Sequence, residues 1–284
     1  MADALTRLSQ EHRPYLVNLA YQMVGDIGDA EDIAQETFLR LAARDPGDID
    51  DIRGWLTVVG SRLCLDHVRS ARHRRVTPGD AERLEGRVAL NQTADPDPAD
   101  RITLDDQVHD ALFEVLEKLS PAERVAFVLH DVFAVPFDEI ARTVGRPAGT
   151  CRQLARRART KIRTAKSAPA HDVTEVEHQL VTEKFIAACA GGDLSALTAV
   201  LAPEVWGSGT ILAEPAPPPQ VNYGPIDVAT NLLRYLGGAT LASGPVGRPV
   251  VLGFSGRRLF AVLVLTVRDG LIVKIEATAD PSAR

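Results

Sequence analysis

The spacing of apolar residues changes near residue 172, and this change separates a helical part of the chain from a mixed part. Before it, apolar residues recur at the three- and four-residue spacing of amphipathic helices. They do so in three stretches: about 13–43, 53–72 and, in pieces, 103–166. Asp45-Pro46-Gly47-Asp48 breaks the pattern once, and Ser167-Ala168-Pro169-Ala170 ends it, since proline and glycine interrupt helices. The sequence therefore predicts two all-α domains before residue 172.

The part of the chain after residue 172 combines helices with strands. Two amphipathic helices are predicted at 176–190 and about 226–236, around a middle rich in glycine and proline. Three strand-like runs follow: 250–254, 259–267 and 271–277. The pair Asp269-Gly270 between the last two is a common hairpin turn. We predict an α+β domain here.

These patterns give a multidomain chain with the following boundaries. Residues 1–75 form the first helical domain, 76–102 a linker, 103–166 the second helical domain and 172–284 the α+β domain. The linker assignment depends on polar composition and on the turn-forming clusters Pro78-Gly79 and Asp95-Pro96-Asp97-Pro98.

Composition narrows the possible locations and cofactors. No apolar segment approaches the roughly 18 residues that a membrane-spanning helix needs, so we expect a cytoplasmic protein. Cys64, Cys151 and Cys189 are far apart among helix-forming neighbours. This spacing suits buried, reduced thiols better than metal ligands, and we expect neither a metal nor a cofactor.

Charge is distributed very unevenly along the chain. The net charge is −6, yet residues 146–166 contain eight basic side chains and no carboxylate. Residues 1–60, in contrast, contain eleven carboxylates and five basic side chains. Because the local distribution governs binding to polyanions, the net charge does not exclude a nucleic acid partner.

The basic segment is predicted to be the second helix of a helix-turn-helix. A helix at 137–144, a turn at Gly145-Arg146-Pro147 and a helix from about Gly149 give the layout of a DNA reader. The second helix buries an apolar stripe consisting of Cys151, Leu154, Ala155, Ala158 and Ile162. Arginine and glutamine project from its other side and can contact bases or phosphates. The alternative is a solvated cationic helix, which would gain no ion pairs of its own.

Several short motifs in this domain resemble region four of extracytoplasmic-function (ECF) sigma factors of bacterial RNA polymerase. They are Leu119-Ser120-Pro121-Ala122-Glu123-Arg124, Phe137-Asp138-Glu139-Ile140-Ala141, Gly149-Thr150 and Arg157-Ala158-Arg159. The resemblance implies that the second helix reads the minus 35 promoter element. The residues expected at that DNA are Thr150, Arg152, Gln153, Arg156, Arg157, Arg159, Thr160 and Arg163. The chain has Leu154-Ala155 where the family often has Arg-Leu, so the promoter sequence does not carry over.

In the first helical domain, the helix at 30–43 combines a buried face with an acidic outer face. Ala30, Ile33, Ala34, Thr37 and Leu41 share the buried face. Asp32, Gln35, Glu36 and Leu39 lie on the outer face, with Phe38 at its edge. An exposed leucine among carboxylates suggests an interface with a basic protein partner, whereas the alternative is a plain solvated face.

This helix resembles part of region two of the same sigma factors. The matching motifs are Gly25-Asp26, Ala30-Glu31-Asp32 and Gln35-Glu36-Thr37-Phe38-Leu39. The resemblance implies that the helix binds the clamp helices of core RNA polymerase. The residues expected at that interface are Asp32, Gln35, Glu36, Phe38 and Leu39.

The helix at 53–72 places Trp55, Arg62, Asp66 and Arg69 along one line. An aromatic ring beside arginines can hold unpaired bases, although Trp55 as a core residue is an equally good interpretation. The resemblance implies that this helix binds the minus 10 element, with a strand-opening loop near 46–53. The expected residues are Trp55, Arg62, Asp66, Arg69, Arg72, Arg74 and Arg75. Many relatives have asparagine where this chain has Arg62.

The third domain resembles the polyketide-cyclase-like (SnoaL-like) cone fold, which ketosteroid isomerase relatives share. In enzymes this scaffold surrounds an apolar pocket, which Glu204, Trp206 and Asp227 could line. The sequence offers no convincing acid/base pair there, so we expect no catalysis. The resemblance, which extends to the actinobacterial sigma-I/sigma-J type, implies instead that the domain regulates the sigma factor.

The sequence predicts a sigma factor with core RNA polymerase and promoter DNA as partners, and an anti-sigma protein as a further candidate. One alternative is a conventional helix-turn-helix regulator with a ligand-binding or isomerase-like C-terminal domain. That alternative leaves the acidic helix and the helix of Trp55 and Arg62 unexplained.

Overall fold

A computed structural model describes residues 2–44, 49–76, 118–165, 175–213, 217–244 and 249–284. The predicted linker beyond residue 76, the start of the second helical domain at 103–117 and part of the predicted strand-opening loop, 45–48, lie outside the described residues. None of the helices described could cross a membrane, judged by length and hydropathy.

The first unit consists of helices α1 (Ala2–Val24), α2 (Ile27–Ala42) and α3 (Ile52–Val76). The helical stretch predicted at 13–43 is thus part of two helices, which meet at Gly25 and Asp26. Gly25 has a φ of 83°, in the left-handed region that glycine adopts without strain. Asp26 accepts a hydrogen bond from the Asp29 N–H at 2.8 Å and is the N-cap of α2.

The second unit is the predicted helix-turn-helix preceded by a short helix. Its elements are α4 (Pro121–Phe127), a π-helical turn (Val128–Val132), α5 (Phe137–Val144) and α6 (Ala148–Ala165). A capping box starts α4: the Ser120 hydroxyl accepts from the Glu123 N–H at 3.4 Å, and the Glu123 carboxylate accepts from the Ser120 N–H at 2.8 Å. Gly145, with φ of 68°, ends α5 and allows the sharp turn into α6.

The third unit packs helices against one mixed sheet. Its helices are α7 (Glu175–Gly191), α8 (Leu194–Ala199) and α9 (Pro225–Leu236), and its strands are β1 (Leu201–Ile211), β2 (Gln220–Tyr223), β3 (Thr240–Ser243), β4 (Val250–Ser255), β5 (Arg258–Arg268) and β6 (Leu271–Ala279). The strand order is β2-β1-β6-β5-β4-β3. β1 and β6 are parallel, and the other neighbours are antiparallel.

The three strands predicted near the C-terminus are confirmed as β4, β5 and β6, but β1, β2 and β3 were not predicted. Pro203, Gly207 and Gly209 interrupt the alternation of β1, and its register with β6 shifts between Leu201 and Trp206. Strand pairing, rather than local pattern, therefore defines this segment.

Two buried apolar clusters hold the molecule together. One lies inside the α+β unit, and the other runs through the six helices that the structure describes before it. The second cluster also includes five residues from one side of the sheet: Ala242, Val250, Leu252, Phe254 and Leu259. The predicted fold class, two all-α units followed by an α+β domain, is confirmed, and the three units pack against one another.

Candidate polymerase and nucleic-acid interfaces

The two faces of α2 differ as the sequence predicted. Ala30, Ile33, Ala34, Thr37 and Leu41 are buried, and the side chains expected on the outer face are exposed apart from the half-buried Phe38. Leu39 is 58% exposed. Phe38 and Leu39 border a groove of about 370 Å³ between α1 and α2, which Arg13 and Gln35 also line. This face combines an exposed leucine with the exposed carboxylates of Asp32 and Glu36, of which Glu36 pairs with Arg40 at 3.0 Å.

The second turn of α2, which carries Glu31 and Asp32, contacts the third unit. Arg257, in the turn between β4 and β5, donates a hydrogen bond to Asp32 Oδ1 at 2.6 Å. Its Nε lies 3.8 Å from Glu31 Oε2, and Thr240 donates to Glu31 Oε1 at 2.8 Å. The acidic end of α2 is thus partly covered, whereas the end that carries Leu39 is open.

On α3, two of the predicted minus 10 residues, Trp55 and Arg62, face a cleft shared with the second unit. Trp55 is half-buried against the core, and Arg44 lies 6.0 Å from its ring centroid. Arg62 is exposed and donates to the backbone oxygen of Arg142 on α5 at 2.7 Å. The cleft between them, of about 620 Å³, is lined by Trp55, Arg62, Glu139 and Arg142, among others.

The remaining minus 10 candidates lie further along α3. Asp66 and Arg69 are exposed and form an ion pair at 3.8 Å. Arg72, Arg74 and Arg75 belong to the helix, but their side chains lie outside the described residues. The structure therefore brings Trp55 and Arg62 together at the cleft and leaves the basic end of α3 farther along the helix.

The helical wheel predicted for α6 matches its burial. Cys151, Leu154, Ala155, Ala158 and Ile162 are all buried. Among the candidates for minus 35 contacts, five are exposed: Arg152, Gln153, Arg156, Arg157 and Thr160. Thr150 and Arg159 are half-buried, and the Arg163 side chain lies outside the described residues. Arg152 also stacks over Phe137, at 5.5 Å from the ring centroid.

Two cations of α6 have carboxylate partners that the sequence did not reveal. Arg159 Nε lies 2.5 Å from Asp131 Oδ1, and Lys161 Nζ lies 2.7 Å from Glu123 Oε2. Burial disfavours ionised Glu123, but hydrogen bonds from Lys161 and Ser120 outweigh it, so the pKa of Glu123 lies below its usual value. These two cations of α6 thus have anionic partners on neighbouring elements of the same chain, and the helix has no ion pair of its own among its described side chains.

A buried amide pair joins α1 to the edge strand β3, and the sequence gave no prediction of it. Asn18 Oδ1 accepts from the Ser243 N–H at 2.7 Å and from the Ser243 hydroxyl at 2.9 Å. Gln22 Nε2 donates to Ser243 Oγ and to the Gly244 carbonyl, both at 2.9 Å, and also contacts the Ser243 carbonyl. The side chains of Asn18, Gln22 and Ser243 are buried. Two amides one helical turn apart within the otherwise apolar stretch 16–24 of α1 were the available signal.

Further contacts connect α3 and the second unit to their neighbours. Arg53 reaches Glu183 on α7 at 3.3 Å, and burial raises the pKa of Glu183 despite this partner. Arg124 on α4 donates to the Met23 carbonyl at 3.0 Å. The described parts of the three units thus pack against one another through these contacts. This packed state is called the closed arrangement.

Comparison with known proteins identifies the family. The model of Sigma-70 region 2 matches residues 8–74, and the model of Sigma-70, region 4 matches residues 109–162. The chain is 47% identical over 284 residues to the probable ECF RNA polymerase sigma factor SigI of Mycobacterium tuberculosis, covering 99% of this chain and 94% of SigI. The chain belongs to the ECF sigma factors. It is a factor for transcription initiation, and the resemblance inferred from the motifs is confirmed.

A second relative of this sigma factor is also similar over nearly its whole length. ECF sigma factor SigJ of M. tuberculosis is 36% identical over 289 residues, covering 95% of this chain and 89% of SigJ. The alignment with the crystal structure of M. tuberculosis SigJ covers 98% of this chain and 97% of the SigJ chain, at 30% identity and a TM-score of 0.38.

The acidic enzyme candidates in the third unit of the sigma factor lie at its surface. Glu204 and Asp227 are exposed, and Lys274 Nζ lies 4.9 Å from the half-buried ring of Trp206. The described interior of the unit contains buried apolar side chains, among them Phe185, Ile186, Leu197, Val205 and Leu263. Asp227 lies in the first turn of α9, where a carboxylate is favoured by the helix dipole. Within the described ranges, no three His, Cys, Asp or Glu side chains are grouped as metal ligands would be.

Proposed function

We propose that this ECF sigma factor binds core RNA polymerase through the outer face of α2. The observation that carries the proposal is Leu39, 58% exposed on a helix whose opposite face is buried. Gln35 and Glu36 flank it, and the groove beside Phe38 could receive an apolar side chain. The expected partner surface, the clamp helices, should therefore present basic residues around an apolar contact.

The promoter contacts follow from the exposed sides of α3 and α6. Trp55 and Arg62 would hold unpaired bases of the minus 10 element, with Asp66, Arg69 and the basic end of α3 beside them. On α6, Arg152, Gln153 and Arg156 project from the centre of the exposed face and are the best candidates for reading base edges. Arg159 is already paired with Asp131, so it would position the helix or approach a phosphate.

The α+β unit, residues 172–284, would regulate these activities by holding the closed arrangement. It shares a buried core with the first unit, and α5 lies across the cleft from Trp55 and Arg62. Promoter DNA and α5 would compete for that space. This role needs no catalytic step, and it would be exercised in the cytoplasm, with an anti-sigma protein as a second candidate regulator.

The test is run-off transcription with purified core polymerase and the full chain, together with an assay of core binding. Leu39→Asp adds a charge to the proposed interface and should abolish both core binding and initiation. Leu180→Asp makes the same change at a leucine 53% exposed on α7 and should leave both intact. Initiation by Leu39→Asp at the normal rate would remove α2 from the interface.

A further inference from the structure

We propose that Arg257 is a built-in competitor of core polymerase for the acidic end of α2. This inference rests on the proposed function of α2 as the polymerase site. Arg257 gives Asp32 a hydrogen bond and an ion pair and lies near Glu31. A basic residue of the third unit thereby occupies carboxylates that a basic polymerase surface would contact.

The structure of α2 makes room for this arginine. A Cβ atom added at Gly28 would lie 2.9 Å from Nη1 of Arg257 and 3.1 Å from its Cδ. The same Cβ would lie 3.1 Å from Oδ1 of the Asp26 cap, so a larger residue at Gly28 would crowd both the guanidinium and this cap. The glycine at this helical position permits the close approach of the turn to α2.

The backbone of the turn does not itself favour arginine. Ser255 pairs with Arg258 across the hairpin, so Gly256 and Arg257 are the two central residues of a tight turn. Their φ angles are 53° and 69°. Glycine and asparagine are the usual residues in this left-handed conformation, and other side chains are strained there. Arg257 occupies a position that is strained for an arginine, and there it pairs with two carboxylates of α2. This combination points to a role in the contact with α2 rather than in the turn.

The competitor covers only part of the face. Asp32 and Leu39 are seven residues apart, or about 10 Å along the helix, and the groove beside Leu39 is open. Polymerase could therefore bind the Leu39 end first and then displace Arg257 from Asp32. The side chains of Arg257 and Asp32 are 55% and 61% exposed. Breaking their ion pair therefore costs little, and the competition should weaken core binding only modestly.

Core binding by Arg257→Gly tests the competition, since glycine suits the turn and removes the charge. Exposed ion pairs contribute little, so this variant should bind core polymerase about 1.5- to 5-fold more tightly than the unmodified chain. The gain should shrink as salt rises, because salt screens exposed charges. Arg258→Ala removes the same charge from the next position in the hairpin and should leave core affinity unchanged.

Two further variants separate failure of this inference from failure of the proposed function. Gly28→Ala should reproduce the gain of Arg257→Gly, since it displaces the guanidinium from the other side. If Leu39→Asp abolishes core binding while Arg257→Gly binds no more tightly than the unmodified chain, the competition is refuted and the α2 interface stands. If Leu39→Asp binds normally, the interface lies elsewhere and the competition is refuted with it.

Discussion

Replacing Gln22 with glutamate would exchange a donor for an acceptor at the buried contact between α1 and β3. The amide nitrogen of Gln22 faces three acceptors: the hydroxyl and carbonyl of Ser243 and the carbonyl of Gly244. Gln22→Glu keeps the shape of the side chain. It would, however, place an ionised oxygen against carbonyl oxygens, in a position that water does not reach.

The size of the effect at pH 7 has an upper bound, because the introduced carboxyl can take up a proton instead of remaining charged. Protonating a glutamate of ordinary pKa, about 4.3, costs about 3.7 kcal/mol at pH 7, at 1.36 kcal/mol per pKa unit. The neutral acid donates one hydrogen bond where the amide donated two, a further loss of about 1 kcal/mol. We expect Gln22→Glu to destabilise the closed arrangement by about 4 to 5 kcal/mol at most.

The penalty should depend on pH in a defined direction. Burial raises the pKa of the introduced carboxyl in the folded state above that in the unfolded state. The penalty is therefore smallest below about pH 4.3 and grows by about 1.4 kcal/mol per pH unit until the pH passes the folded-state pKa. Gln22→Met, the control, lacks both donors and any charge, and should cost about 2 kcal/mol at every pH.

The two tryptophans of the chain allow the assay to follow each side of the contact. Trp55 lies in α3 and Trp206 in β1, so Trp206→Phe and Trp55→Phe backgrounds report urea unfolding of the first and third units separately. When Gln22 is unchanged, the transitions of the two backgrounds should coincide, because the units share a core. In Gln22→Glu at pH 7 the transitions should separate. A penalty below 1 kcal/mol that does not change with pH would refute the buried contact.

Three other predictions concern α6 and the thiols. Arg156→Ala should weaken minus 35 binding by about 1–3 kcal/mol if the arginine contacts a base; an equal loss on unrelated DNA, measured by the same titration, would assign it to a phosphate. Glu123→Gln should destabilise the second unit by about 1–2 kcal/mol at pH 7, because it breaks the pair with Lys161. Since the folded-state pKa of Glu123 is lowered, this difference should fade in urea unfolding as the pH drops below about 4. Cys64, Cys151 and Cys189 are buried with raised pKa values, about 12 for Cys189, so iodoacetamide should label them only after denaturation; rapid labelling of the native chain would contradict that burial.

The helical parts were predictable from the sequence because burial on a helix repeats with a fixed period. The buried stripe of α6, from Cys151 to Ile162, and the exposed Leu39 on α2 both follow from that period. The end of α1 at Gly25 does not follow from that period, because an aspartate cap and a left-handed glycine are local features that leave the apolar pattern intact.

The contacts between units could not be predicted in the same way. Asp131 and Glu123 pair with cations 28 and 38 residues away, and their spacing carries no signal for such a pairing. Asn18 and Gln22 stand out as amides among apolar neighbours. Their partners, however, are backbone groups of β3, whose position at the edge of the sheet only the tertiary fold determines.

The contact between α1 and β3 constrains how the third unit can act on the rest of the sigma factor. An edge strand presents backbone donors and acceptors that must be covered or solvated, and here Asn18 and Gln22 cover them. Undocking the unit would expose these groups together with the buried ring of Tyr21, which packs edge-on against Phe254 of β4 at 5.4 Å between ring centroids. Arg257, in contrast, can leave Asp32 at the cost of one solvated ion pair. Core affinity can therefore be adjusted by small, salt-sensitive rearrangements at the acidic end of α2, without the larger cost of undocking the third unit.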